Sequence, residues 1–211
     1  TPGDYSGNIH IDSNGGAVDV SVVVVEPLVG MIEVPSGSFQ RGSYTITLTN
    51  DFYMGKYEVT NAQYCDMLNY ANGQGYLTVT SGSVKNSSGN SQELLDMDSS
   101  DCEISYSGGT FVVDSGKENH PVIKVTWYGS AFFCNMISEQ EGLTKLYNLS
   151  DWSCDVYGGT GYRLPTEAEW HYTAQYNDGR TYPWGNASPT SSHANYNSNV
   201  GWTTDVGSYP T

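Results

Sequence analysis

The residues best suited to chemistry in this chain are its cysteines, because a thiolate can attack a disulfide or bind a soft metal. They stand at Cys65, Cys102, Cys134 and Cys154, tens of residues apart and with no Cys-x-x-Cys pair. The spacing of a zinc knuckle or of a thioredoxin-type redox motif is therefore absent. Three disulfide pairings are open to four cysteines, and spacing does not choose among them. Four buried free thiols, packed as small apolar groups, are an equal alternative. His10, His120, His171 and His193 show neither His-x-His nor His-Glu-x-x-His spacing, so a zinc or non-haem iron site is not expected. Glu167, Glu169 and His171 form a tempting acid–base cluster. Such groups occur at this spacing on many surface helices, and a structural role is the expectation. Asn86-Ser87-Ser88 and Asn148-Leu149-Ser150 fit glycosylation sequons, a short pattern that chance supplies often.

The elements that must carry these residues announce themselves through their caps. Thr60-Asn61-Ala62-Gln63 and Thr166-Glu167-Ala168-Glu169 both fit the capping box, in which the Thr hydroxyl and the Glu/Gln side chain each satisfy the other residue's backbone N–H. Tyr64, Cys65, Leu68 and Ala71 follow the first at helical spacing, and Trp170 and Ala174, with the ring of His171 or Tyr172, follow the second. A third helix spans Thr126 to Glu141, with Ala131, Cys134 and Ile137 inward, Ser138 as a polar flank and Gly142 at the left-handed cap. Trp170 has the size of a core anchor. Two period-2 runs, Gly7 to Asp12 and Ala17 to Val22, flank Ser13-Asn14-Gly15-Gly16 and predict a hairpin. Short strands are expected at Met31–Phe39, Tyr44–Thr49 and Gly109–Asp114, whereas Gly73 to Ser100 reads as a long polar loop. Three helices among many short strands, with no alternating strand–helix rhythm, predict an α+β fold with long loops.

A chain of 211 residues can hold one domain with a sizeable core, or one domain and part of another. A hairpin alone is marginal in water, so residues 1–27 read as the end of an all-β, immunoglobulin-like or BACON-like module, and 28–211 as a second, partial domain. Thr1-Pro2-Gly3 at the start and Ser208-Tyr209-Pro210-Thr211 at the end suggest an excerpt from a longer protein. The net charge of −15 repels phosphate backbones, which excludes nucleic acid as a first guess. No run approaches the roughly 20 apolar residues of a membrane span. An acidic, Tyr/Asn/Gly/Ser-rich chain with few lysines suits an extracytoplasmic location, meaning secreted, periplasmic or at the cell surface.

The same segments carry a family resemblance. Phe52-Tyr53-Met54-Gly55-Lys56-Tyr57-Glu58-Val59-Thr60-Asn61-Ala62-Gln63-Tyr64 resembles the opening signature of the formylglycine-generating enzyme, or sulfatase-modifying-factor, family. Pro121-Val122-Ile123-Lys124-Val125-Thr126-Trp127-Tyr128 and Ala131-Phe132-Phe133-Cys134-Asn135 do so too. The most specific block is Gly161-Tyr162-Arg163-Leu164-Pro165-Thr166-Glu167-Ala168-Glu169-Trp170. Tyr182-Pro183-Trp184-Gly185-Asn186, Ala194-Asn195-Tyr196 and Val206-Gly207-Ser208-Tyr209-Pro210 then follow in the family's order.

This resemblance implies a C-type-lectin-like fold in which Arg163, Glu167, Glu169 and Trp170 are structural. It implies a copper-dependent oxidase that converts a sulfatase cysteine to formylglycine, with copper on two thiolates near the C-terminal end of the family domain, where Cu(I) finds soft ligands. None of the four cysteines matches those positions, so no catalytic residue is assigned and the fragment itself is expected to be inactive. The resemblance also implies a structural calcium site. Asn195 and Tyr196 match its first two ligands, with Asn199 where an Asp is expected and Val200 as the later carbonyl. An amide in place of a carboxylate lowers the charge of the site and weakens it. An Asn-rich surface turn with no ion is the competing reading. The partner implied is a sulfatase-like polypeptide. The alternative is a noncatalytic, extracellular lectin-like scaffold that binds a ligand or surface, since one fold hosts both roles.

Overall fold

Local hydrogen bonding places the helices, as the caps require. In the computed structural model, which describes residues 5–13, 16–24, 30–175 and 178–209 (the first two stretches as backbone), α1 runs Asn61–Gly73, α2 Trp127–Gln140 and α3 Glu167–Gln175. Thr60 and Gln63 form a full capping box at α1. At α3 the Thr166 N–H donates to Glu169 Oε2 at 2.7 Å and the Glu169 N–H to Thr166 Oγ1 at 3.2 Å, closing the second box. The Thr126 hydroxyl caps α2 by accepting from Gly129 N, and Gly142 ends that helix at φ 70°.

The strands are short and mostly local. β1 (Tyr5–Ser13) and β2 (Gly16–Val24) pair antiparallel from Tyr5↔Val24 to Ser13↔Gly16, the expected hairpin, although its Asn14-Gly15 turn lies outside the described residues. So does the expected domain boundary at residue 27. β3 (Met31–Val34) pairs with β6 (Phe52–Gly55) around the inner hairpin of β4 (Gly37–Arg41) and β5 (Tyr44–Leu48). β10 (Ile104–Ser107) and β11 (Thr110–Val113) form a further hairpin.

The stretch expected as a loop, Gly73 to Ser100, is instead central to the core. It contains the antiparallel sheet β7 (Leu77–Val79), β8 (Ser83–Asn86) and β9 (Glu93–Asp96), in that order. Val84, Leu94 and Leu95 in it are wholly buried against Tyr64 and Leu68 of α1 and Ala131 and Phe132 of α2. Strands of three or four residues are too short to show alternation, and the polar residues between them hide a buried role. Asn86 is one of these. Its amide donates to Ser88 O at 2.6 Å and accepts from Gln92 N at 2.7 Å, replacing water for a fully buried group. Helix α2 lies so close to β9 that a Cβ on Gly129 would overlap the Leu94 carbonyl. Gly129→Ala is expected to cost about 1–3 kcal/mol in chemical denaturation, because the helix must move off the strand.

Two side chains depart from expectation. Ser138 is not a flank: it is fully buried, donating to Cys134 O and accepting from Tyr162 N, each at 2.8 Å. Trp170 is 61% exposed and anchors nothing. Glu169 and Tyr172, three positions apart, occupy the inner face of α3, and Trp170 is turned about 100° from Glu169. Trp170→Ala is therefore expected to change stability by less than about 0.5 kcal/mol, whereas Tyr172→Ala costs about 3 kcal/mol or more. Thermal melts of the two variants check this contrast. Among the described residues no helix is long and apolar enough to cross a membrane.

Candidate functional site

Asn195, Tyr196, Asn199 and Val200 all lie exposed on one loop. The loop is folded by its own polar groups: Asn195 Nδ2 donates to Trp202 O, Tyr196 Oη to Pro189 O at 2.9 Å, and Asn199 Nδ2 to Ser191 O at 3.4 Å. Asn197 and Ser198 turn the chain at φ 53° and 58°, and the Asn199 N–H closes back on the Tyr196 carbonyl at 3.2 Å. A surface concavity of about 330 Å³ is lined by Pro189, Thr190, Ser191, Tyr196, Asn197 and Asn199. Beside it Tyr182, Trp184 and His193 form a three-ring stack with centroid spacings of 5.1 and 5.2 Å, and His193 Nδ1 lies 3.1 Å from Thr190 Oγ1. Neutral amide and carbonyl oxygens match a hard cation in kind. They bring no charge, and the Tyr196 carbonyl is already engaged within the turn. Among the described residues no group of three His, Cys, Asp or Glu is placed to hold a metal.

The far end of this loop is clamped by a group that no sequence pattern marked. Glu103 accepts from Trp202 Nε1 and, at 2.6 Å, from Asn61 Nδ2, and Lys117 Nζ lies 3.2 Å from its Oε1. Burial alone would raise the Glu103 carboxyl, but donation from Trp202, Asn61 and Lys117 outweighs it and holds the group below the ordinary carboxylate range. His120 extends the clamp, with Nδ1 2.7 Å from Thr203 Oγ1 and Nε2 3.4 Å from Asp205 Oδ1. The Val206 N–H donates to Asn119 O at 2.9 Å.

The Glu167, Glu169 and His171 cluster is dispersed by the fold. Arg163 grips Glu169 with two bonds, Nη1 to Oε2 at 2.7 Å and Nη2 to Oε1 at 2.6 Å, and donates from Nε to Val156 O at 3.1 Å. Glu167 pairs with Arg41 at the surface, and His171 stacks on Phe39 at 5.1 Å. Each of the three turns to a different partner. No acid and base converge.

None of the four cysteines is bridged. Burial pushes the Cys65 thiol up to about 11 and the Cys134 thiol up to about 12. Cys102 donates to Ile104 O at 3.3 Å, and burial raises it as well. These three thiols, held protonated by burial, do not fit a Cu(I) site, which needs thiolates. Of the sequons, Asn86 is fully buried and closed to modification, whereas Asn148 is exposed, its Oδ1 accepting from Ser150 N at 3.0 Å.

Comparison with known proteins places this geometry. The model of the sulfatase-modifying factor enzyme 1-like domain matches residues 19–211. The chaperone protein LppX of Paenibacillus barcinonensis is 29% identical over 165 residues, covering 68% of this chain and 44% of that protein. The formylglycine-generating enzyme of Mus musculus is 26% identical over 192 residues, covering 75% of this chain and 43% of that enzyme. The chain thus spans less than half the length of these curated relatives. The crystal structure of CarF superposes with a TM-score of 0.57 at 21% identity, over 83% of this chain and 69% of that one.

Proposed function

The chain belongs to the family of the sulfatase-modifying factor enzyme 1-like domain and has its α+β, C-type-lectin-like fold, and from that premise we propose that its parent protein is a copper-dependent oxidase converting a cysteine of a sulfatase-like polypeptide to formylglycine. In this reading residues 28–211 are the scaffold of the domain. The copper-binding thiolates come from outside the 211 residues, because burial holds Cys65, Cys102 and Cys134 protonated and Cys154 alone is one thiol where two are needed. The family match over residues 19–211 carries the proposal. The chain extended by the codons that follow Thr211 in its gene, supplied with Cu(I), oxygen and a cysteine-bearing sulfatase peptide, is expected to yield an aldehyde product by mass spectrometry. Residues 1–211 alone are expected to yield none. No aldehyde from the extended protein would reject the oxidase.

The second reading is a noncatalytic scaffold displaying loops to an extracellular ligand. The concavity lined by Tyr196, Asn197 and Asn199 favours it. Both readings place the protein outside the cytoplasm, in keeping with a net charge of −15. Both also admit calcium as a weak structural ion on the oxygens of Asn195, Tyr196, Asn199 and Val200. With calcium at ten times its Kd, the stabilisation is about 1.4 kcal/mol, a rise in melting temperature of roughly 3–6 °C. Asn195→Ala is expected to abolish that rise. An unchanged melting temperature of the parent chain at millimolar calcium would remove the ligand assignment.

A further inference from the structure

Two of the four cysteines are brought to one place by backbone geometry. Tyr147 and Cys154 face each other in an antiparallel bridge, framed by Asn148 N–H to Ser153 O at 2.9 Å and Asp155 N–H to Leu146 O at 3.0 Å. Residues opposed in this way have Cα atoms about 4.5–5.5 Å apart and side chains on the same side. Helix α2 docks on the same spot. Asn135, next to Cys134, donates to Tyr147 O at 2.8 Å and accepts from Tyr147 N at 3.0 Å. One turn later Ser138 holds Tyr162 N, and Arg163 beyond it holds Val156 O, so the chain on both sides of Cys154 is tied to the Cys134 region.

We propose that Cys134 and Cys154 are a redox pair that closes to an intramolecular disulfide by exchange with a low-molecular-weight disulfide, pinning α2 to the 146–155 hairpin. The other two thiols are occupied elsewhere: Asn69 Nδ2 lies 3.7 Å from the Cys65 sulfur, and Cys102 bonds Ile104 O. Of the six pairs that four cysteines allow, this one has its members joined through a single residue, Tyr147, which bonds Asn135 beside Cys134 and faces Cys154. The charges of the site agree with it. After burial, the charge of Cys154 is the next influence raising the Cys134 thiol, while Arg163 favours its thiolate. Burial pushes the Tyr147 hydroxyl up to about 12; donation from Leu164 N opposes this, and both thiols add to it.

The two thiols have different parts. Cys154, half-buried, is the one solvent can reach, and Cys134 is 8% exposed. The Cys154 thiolate attacks one sulfur of the donor disulfide, forming a mixed disulfide and expelling one donor thiolate. Cys134, on losing its proton, attacks the Cys154 sulfur and expels the second. The protein loses two electrons and two protons, and the donor disulfide is reduced to two thiols.

The test uses the full 211-residue chain, reduced and then incubated natively with oxidised glutathione. Remaining thiols are alkylated after unfolding, and the digest is analysed without reductant. Two of the four cysteines are expected to escape alkylation, as one peptide pair joining Cys134 to Cys154. The oxidised protein is expected to melt roughly 5–10 °C higher, reversibly with dithiothreitol. Cys134→Ser should trap Cys154 as a stable glutathione adduct, and Cys154→Ser should leave Cys134 unmodified. If Cys134→Ser does not fold, the parent cross-link map decides the matter. A cross-link to Cys65 or Cys102, or four alkylatable thiols after oxidation, overturns the proposal.

Discussion

Glu169→Ala is expected to lower the stability of the protein by about 3–5 kcal/mol, the range for removing one partner from a buried ion pair. Three losses coincide in that change. The Arg163 side chain, only 16% exposed, is left without its bidentate carboxylate. Thr166 N–H loses the acceptor that closes the α3 capping box. The chain from Val156 to α3, which Arg163 holds by donating to Val156 O and Leu164 O, loses its anchor. Glu169→Gln keeps an oxygen for Thr166 but not the charge, and should fall between the parent and Glu169→Ala. Arg163→Lys cannot reproduce the planar fork and should destabilise although it conserves charge. Urea denaturation of the three variants checks the order.

The pair also sets an acid limit. Burial opposes ionisation of Glu169, but donation from Arg163 and Thr166 prevails and lowers its folded value below the ordinary 4.5. A depressed carboxyl contributes stability that is whole above its unfolded value and is lost as pH falls through its folded one. Glu103 is depressed in the same direction. Stability should therefore be flat above about pH 5 and fall steeply below about pH 4, with a shallower fall in Glu169→Gln.

Glu103→Ala is expected to cost a similar 3–5 kcal/mol, but with a different distribution. Its carboxylate is shared by Asn61 at the first turn of α1, Lys117 before His120, and Trp202 at the end of the surface loop. Removing it leaves the Lys117 charge without its partner and the Trp202 N–H without its acceptor. The 202–206 segment should then detach first, since its other ties to the body are His120, Asn119 and a Lys117 cation over the Trp202 ring at 5.9 Å, while its bond from Asn195 to Trp202 O stays within the same surface loop. Faster amide exchange in residues 202–206 and early proteolytic cleavage there should precede global unfolding. Trp202→Phe removes only the donor and should cost about 1.5–3 kcal/mol, the worth of a hydrogen bond to a charged group. Equal exchange rates in parent and Glu103→Ala across 202–206 would contradict this account.

What could be read along the chain was what depends on near neighbours in it. Thr60, Thr126 and Thr166 start helices because their hydroxyls reach backbone N–H groups three residues on. β1 and β2 pair as the two period-2 runs predict, an equally local signal, and the family resemblance read from short motifs agrees with the family match over residues 19–211. The α+β class follows from summing such local elements. Contacts between distant segments were not legible. Glu103 meets Trp202 across 99 residues, and nothing around either signals the other. Val84, Leu94 and Leu95 sit in polar surroundings yet form the centre of the core, because α1 and α2 close over them. Trp170 faces solvent although its size argues for burial, since Arg163, six positions before Glu169, claims the inner face of α3 for a carboxylate. Cys134 and Cys154 meet because a hairpin and a helix share Tyr147. A cap is decided by bonds inside a single turn, whereas burial, pairing and charge complementarity are decided by whatever the rest of the folded chain places alongside.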